Sequence, residues 1–308
     1  MKQLAVLSGK GGTGKTTVTA GLAHLATAEH RLVLADADVD AANLELVLDA
    51  KQESEHPFRS GELAVIDPEA CEACGRCAEV CRFDAIVAPS SAASSVTGSD
   101  PATSSYRVDS VACEGCASCY YACPFDAISM VPRLAGQWFV SETWLGPLYH
   151  AQLRAGEENS GKLVTLIKQM ARLRAKDDGA DLVIVDGPPG IGCPVISTLA
   201  GADLTLIVTE PTVAGVHDLE RILQTAAHFR VPAAVLLNKA DLSSNQANAI
   251  TTYCERHEVP LVGRLPFDTA VTETMVRGKP ITTVESAVTD ALREAWAALS
   301  PYVTTQDT

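Results

Sequence analysis

Residues 8–17 read SGKGGTGKTT, and few decapeptides restrict a fold so strongly. The segment fits G-x-x-x-x-G-K-[ST] through Gly9, Gly14, Lys15 and Thr16; it follows the apolar run Leu4 to Leu7 and precedes residues with helical spacing. Strand, glycine loop and helix is the context that a phosphate-binding loop needs. Backbone N–H groups along Gly9, Lys10, Gly11, Gly12, Thr13 and Gly14 can converge on phosphate oxygens. The helix start adds partial positive charge and Lys15 a full one. Thr16 offers a hydroxyl to Mg²⁺, with Thr17 beside it.

The flanking pattern alternates strands and helices. Val18, Leu22, Leu25 and Ala26 recur at helical spacing, which predicts a helix from Lys15 to about Glu29. Residues 31–35 read as a strand that delivers Asp36, Asp38 and Asp40 to the crevice where open α/β sheets bind ligands. Leu182 to Val185 is an apolar strand ending in Asp186, a carboxylate placed to hold Mg²⁺ or its water. Leu204 to Thr209 and Ala233 to Leu237 are further strands, the first followed by a helical segment, and the second leading to Asn238-Lys239-Ala240-Asp241, where Asn238 is expected to bond the purine edge. The fold implied is a doubly wound, mostly parallel α/β sheet.

The rhythm breaks from about Phe58. Gly61 to Ile66 reads as a strand, and two runs of C-x2-C-x2-C-x3-C follow: Cys71, Cys74, Cys77 and Cys81, then Cys113, Cys116, Cys119 and Cys123. Similar tails, RFDAIV and PFDAIS, make this an internal repeat that uses eight of the ten cysteines. The spacing is that of bacterial ferredoxins with two [4Fe–4S] clusters, in which three cysteines of one run and the fourth of the other hold each cluster. By that rule Cys71, Cys74, Cys77 and Cys123 hold one cluster, and Cys81, Cys113, Cys116 and Cys119 the other. Structural zinc is the competing reading, but it usually takes paired C-x2-C motifs with longer gaps. Arg82 stands where the pattern has proline; Pro124 keeps it. Pro89 to Ser105 is a small-polar surface excursion between the runs.

Lys10, a second lysine directly after the first glycine, makes the loop resemble the deviant Walker A motif of the MinD/ParA family, which includes the nitrogenase iron protein and iron–sulfur cluster carriers. The resemblance implies a nucleotide-sandwiched dimer, with itself or with a paralogue, in which Lys10 reaches the phosphates of the other subunit's nucleotide. It casts Asp38 as the residue orienting the attacking water, and residues 186–190 as a second switch that senses the γ-phosphate. The run LVGRLPFD, 261–268, resembles the family's base-facing loop, with Pro266 and Phe267 as apolar walls. ATP is the expected substrate; N-K-x-D leaves GTP open. The chain as a whole resembles members with an inserted ferredoxin: an ATPase domain over 1–57 and 146–308, and an α+β two-cluster insertion over 58–145.

Composition sets the remaining expectations. A formal net charge of −14 argues against nucleic-acid or anionic-membrane surfaces, which need basic patches. Five arginines against eleven acids over residues 57–145 fit an acidic face that docks on a basic redox partner protein. No apolar run approaches the ~18 residues of a membrane span, and the start MKQLAVLSGK leaves no room for a signal peptide, so a cytoplasmic protein is expected. The C-terminal amphipathic segment carries too many acids for a membrane anchor and reads as a packing helix. Residues 163–173 are expected to form a helix, capped by the polar segment 158–162. Cys193 is expected to be a buried structural thiol, Cys254 inert on a surface helix, and His150 structural. The leading reading is an ATP-gated electron-transfer protein; a cluster carrier and a MinD-like spatial organiser with redox sensing are the alternatives.

Overall fold

The computed structural model describes residues 1–89, 104–154, 156–157 and 160–304. The small-polar excursion lies outside the described residues from 90 to 103, as do Glu158 and Asn159 of the expected cap. The chain divides into two compact units: Met1–His56, Gln137–Leu153 and Asn159–Thr308 form the first, Pro57–Gly136 and Arg154–Glu158 the second.

In chain order the first unit begins with β1 (Lys2–Ser8), α1 (Lys15–Ala26), β2 (Leu32–Asp36) and the short α2 (Leu44–Val47). β3 (Lys51–Ile66) starts in the first unit and ends in the second, which then holds α3 (Arg76–Val80), β4 (Ile86–Val87), β5 (Arg107–Val108) and α4 (Ser118–Ala122). β6 (Ile128–Thr143) returns to the first unit, followed by β7 (Gly146–Leu153), α5 (Ser160–Asp178), β8 (Leu182–Pro189) and α6 (Cys193–Leu199). The remainder is β9 (Leu204–Thr209), α7 (Val213–His228), β10 (Ala233–Leu237), α8 (Ser244–Arg256), β11 (Leu261–Arg264), α9 (Ala270–Val276) and α10 (Ala287–Val303).

The strands form a sheet in the order β11-β10-β9-β1-β8-β2-β7-β6-β3. Every pairing from β11 through β7 is parallel, as expected where helices cover both faces. Successive side chains of one strand point to opposite faces, and the two cores divide accordingly. Leu4, Val6, Leu206 and Leu236 pack with α1 and α10 on one face. Leu7, Ile207, Val235 and Leu237 pack with α6, α7 and α8 on the other. The C-terminal helix is held by Leu292, Ala295, Trp296, Leu299 and Val303, all buried, and Ser286 caps it by accepting from the Thr289 N–H at 3.1 Å. Among the described residues no helix is long and apolar enough to cross a membrane.

β3 is longer than its sequence suggests. Lys51 to His56 is polar and mostly exposed, so no alternation marks it; strand geometry there comes from pairing with β6, where Gln137 donates to Glu55. In the second unit β4 and β5 pair antiparallel, Ile86 opposite Val108. Cys254 sits on α8 but faces its core and is only 2% exposed; burial pushes its thiol up to about 11. His150 is buried on β7, with Nε2 2.9 Å from Ser141 Oγ and Nδ1 3.3 Å from Glu45, a structural placement.

Leu292 is fully buried, so Leu292→Ala should destabilise the protein by about 3 kcal/mol in urea titrations. Leu173→Ala, at a position 54% exposed, should change stability by less than about 0.5 kcal/mol.

Candidate functional site

Parallel pairing of β1 with β8 and of β8 with β2 sets three strand ends side by side. The loop after β1 turns at Gly14 with φ 91°, a left-handed conformation that a side chain resists; a Cβ there would also strike the Asn238 amide. α1 begins at the next residue. Lys15 is buried, its Nζ 4.0 Å from Asp38 Oδ2. Thr16 Oγ1 donates to Asp186 Oδ2 at 2.6 Å, and Thr19, one turn on, donates to Asp186 Oδ1 at 2.9 Å. The proposed magnesium pair is thus already in contact.

Asp36 lies opposite Asp186 in the β2–β8 register. Its carboxylate accepts from the backbone N–H groups of Asp38 at 3.0 Å, Asn43 at 2.9 Å and Leu44 at 3.0 Å. This acid therefore folds the loop that carries Asp38. Burial, followed by the charge of Asp186, pushes Asp36 up to about 8. Burial also raises Asp186, against the pull of Lys15 and the two threonine hydroxyls. Asp38 is pushed up to about 6, mainly by burial, with Lys15 opposing and Asp186 and Asp40 assisting. Asp38 and Asp186 share the one charge of Lys15, and Asp36 adds to Asp186, so the site is short of positive charge, which a bound cation would supply.

An open cavity of about 1880 Å³ stands before the loop. Gly11, Gly12, Gly14, Lys15, Thr16, Thr17 and Asp38 line it, together with Leu46, Val47, Thr272 and Met275, which the sequence reading did not single out. Gly9, Lys10, Thr13, Asp186, Asn238, Pro266 and Phe267 are not in its lining. Gly9 packs on Asp218 of α7 and Thr13 is buried. Asn238 donates to Thr13 O at 2.8 Å, bracing the loop. Phe267 is 53% exposed, its N–H bonded to Asp241. Lys10 is paired in its own subunit with Glu210, Nζ to Oε1 at 2.5 Å. Asp36 was placed in the crevice by the sequence but given no role; Thr19 and Glu210 were missed. Their signals were a hydroxyl one turn after the loop lysine and an acid after a strand neighbouring β1.

The second unit repeats its backbone as well as its sequence. Positive φ recurs two and four residues after the first cysteine of each run, at Ala73 and Gly75 and at Gly115 and Ala117. It recurs again three residues after each fourth cysteine, at Asp84 and Asp126. A Cβ on Gly115 would meet Glu62 O. The repeated turns curl each run around its own space, and α3 and α4 carry the third cysteine of each run. One cavity of about 320 Å³ is lined by Cys71, Cys74, Cys77 and Cys123, with Phe125 and Ile128. A second, also about 320 Å³, is lined by Cys81, Cys113, Cys116 and Cys119, with Phe83 and Ile86. Among the described residues, no three His, Cys, Asp or Glu side chains converge tightly enough for a single metal ion. Cys193 corrects the expectation of burial: it is exposed, at the first turn of α6, whose inward positions are Val195, Thr198 and Leu199.

These features define a P-loop nucleotide-binding protein. Residues 4–281 match the CobQ/CobB/MinD/ParA nucleotide binding domain, and the chain belongs to that family. It is 33% identical over 302 residues to the uncharacterized protein MJ0578 of Methanocaldococcus jannaschii, covering 98% of this chain and 97% of the relative. The uncharacterized protein MJ0579 of the same organism is 26% identical over 246 residues, covering 79% and 82%. Among solved structures, the septum site-determining protein MinD of Pyrococcus horikoshii, complexed with Mg-ADP, shares the fold with a TM-score of 0.57 at 16% identity over 99% of each chain.

A carboxyl whose pKa is raised by folding stabilises the protein below its unfolded value and loses that contribution as pH rises through the folded value. For Asp38 the window runs from 3.8 to about 6. Urea midpoints of the nucleotide-free protein should therefore fall more steeply over about pH 4 to 7 in the wild type than in Asp38→Asn.

Proposed function

We propose that this protein is a Mg-ATP-hydrolysing dimeric switch that carries two [4Fe–4S] clusters and couples nucleotide state to electron transfer with a partner protein. The observation that carries the reading is the pair of small cavities, each lined by three cysteines of one run and the fourth of the other. The donor set fits: four thiolates in a mostly apolar cage suit iron–sulfur ligation. A single zinc would draw its sulfurs to about 3.8 Å from one another, given tetrahedral Zn–S bonds near 2.3 Å. When bound, each cluster supplies one-electron transfer. The cysteines hold it and the apolar neighbours limit water. In this reading residues 58–145 are the inserted ferredoxin, and the acidic composition there suits a basic redox partner.

In the nucleotide domain, the N–H groups of residues 9–14 and Lys15 bind the phosphates, while Thr16 and Asp186 hold Mg²⁺. Asp38 orients the attacking water, a role consistent with a carboxyl at the cavity wall beside Lys15. Asn238, Pro266 and Phe267 take the base once it is seated. Lys10 completes the nucleotide of a second subunit, this chain or a paralogue; the presence of two relatives in one organism supports the latter arrangement. Because β3 and β6 connect the two units, the insertion enters and leaves the nucleotide domain between its two acidic loops.

Anaerobic reconstitution should load about eight iron atoms per chain. Cys123→Ser and Cys81→Ser should each perturb a different cluster in EPR spectra and lower iron content by up to half. Zinc in place of iron after metal-replete expression would refute the cluster reading.

Lys15→Ala should lower ATP hydrolysis at least about 100-fold. Midpoint potentials with ADP and with a non-hydrolysable ATP analogue should differ by about 60 mV, a tenfold change in nucleotide affinity between redox states. Identical potentials would sink the coupling; binding to vesicles, or cluster release to an apo-acceptor, would favour the organiser or carrier instead.

A further inference from the structure

We propose that Glu210 is a resting counter-ion for Lys10, and that it makes dimerisation depend on a nucleoside triphosphate rather than a diphosphate. This rests on the reading of Lys10 as the residue that completes the other subunit's nucleotide site.

Glu210 follows β9, which pairs with β1 so that Leu7 lies opposite Ile207; the end of β9 therefore abuts the start of the phosphate loop. Its side chain is 12% exposed and its carboxylate holds two lysines. Lys10 Nζ lies 2.5 Å from Oε1, and Lys239 Nζ 3.3 Å from Oε2. Lys239 Nζ also donates to Gly12 O at 3.1 Å, so the same carboxylate braces the loop from two sides. The Lys10 backbone is pinned separately, its carbonyl accepting from Ser8 Oγ at 2.7 Å. Only the Lys10 side chain, which is 39% exposed, is left to swing.

An ion pair shielded from water on the glutamate side is screened less than a surface pair. Lys10 leaves Glu210 only for a stronger anion. A second subunit presenting a triphosphate offers more negative charge within reach than one presenting a diphosphate. Glu210 thus sets a threshold that ADP does not cross. Glu210 is a positioning residue, acting through Lys10.

The test is sedimentation of the full-length wild type, Glu210→Gln, Glu210→Ala and Lys10→Ala, each with Mg-ADP or a non-hydrolysable Mg-ATP analogue. Glu210→Gln keeps the size and a hydrogen-bond acceptor but removes the charge. It should dimerise at about tenfold lower protein concentration with the analogue and should form dimers with ADP under conditions that leave the wild type monomeric. A gain of ADP-driven dimerisation is not an effect of structural damage, and Glu210→Ala should share it. Glu210 variants that dimerise as the wild type does, or more weakly, overturn the proposal while leaving the role of Lys10 intact. A wild type that does not dimerise with the analogue, or a Lys10→Ala variant that dimerises normally, overturns both.

Discussion

Two buried carboxyls facing each other across β2 and β8 are the constraint on which the nucleotide domain depends. Asp36 and Asp186 are opposite in register, wholly or almost wholly inaccessible to water, and repel each other. Such a pair persists only where hydrogen bonds or cations offset it. Each acid has recruited a different set. Asp36 takes three backbone N–H groups and in doing so shapes residues 38–44. Asp186 takes the charge of Lys15 and two hydroxyls from the first turns of α1. The loop after β1, the Asp38 loop and the strand leading to the second glycine-rich loop are thereby tied at one point. A cation bound there would act on all three at once.

The same logic of matched charges extends outward. Lys15 is balanced by Asp38, and Lys10 with Lys239 by Glu210, so the cations suited to phosphate already have partners on the protein. Of these pairs only Lys15 and Asp38 line the cavity; Lys10, Lys239 and Glu210 lie outside its lining. The cysteine-rich unit follows a different principle. There the backbone is bent by residues in left-handed conformations at repeated offsets, and each curl leaves a space that its own three cysteines and one foreign cysteine surround.

Much of this was legible along the chain. Strands β1, β2, β8 and β9 are short apolar runs that end at or beside glycine or acid, β10 is one between Pro232 and Asn238, and the loop pattern needs no tertiary information because its chemistry is local. The first half of β3 was not legible, since Lys51 to His56 lacks alternation and becomes a strand through its pairing with β6. Cys193 was read as buried because free cysteine is among the most buried residue types, yet the inward positions of α6 begin two residues later, at Val195. Local spacing also did not show that Asn238 engages the loop carbonyl of Thr13, or that Pro266 and Phe267, expected beside a base, stand outside the cavity lining.

The sequence by itself determined the class of fold, the phosphate loop with its lysine and threonine, and the two cysteine runs, because each is encoded by residues a few positions apart. Only the tertiary structure decided which acids face one another, which lysines are already paired, and which walls the cavity has. Those outcomes depend on strand order. Asp36 meets Asp186, and Glu210 meets Lys10, because β2 and β9 flank the β1–β8 pair, a neighbourhood set by packing helices on both faces of one sheet rather than by any local spacing.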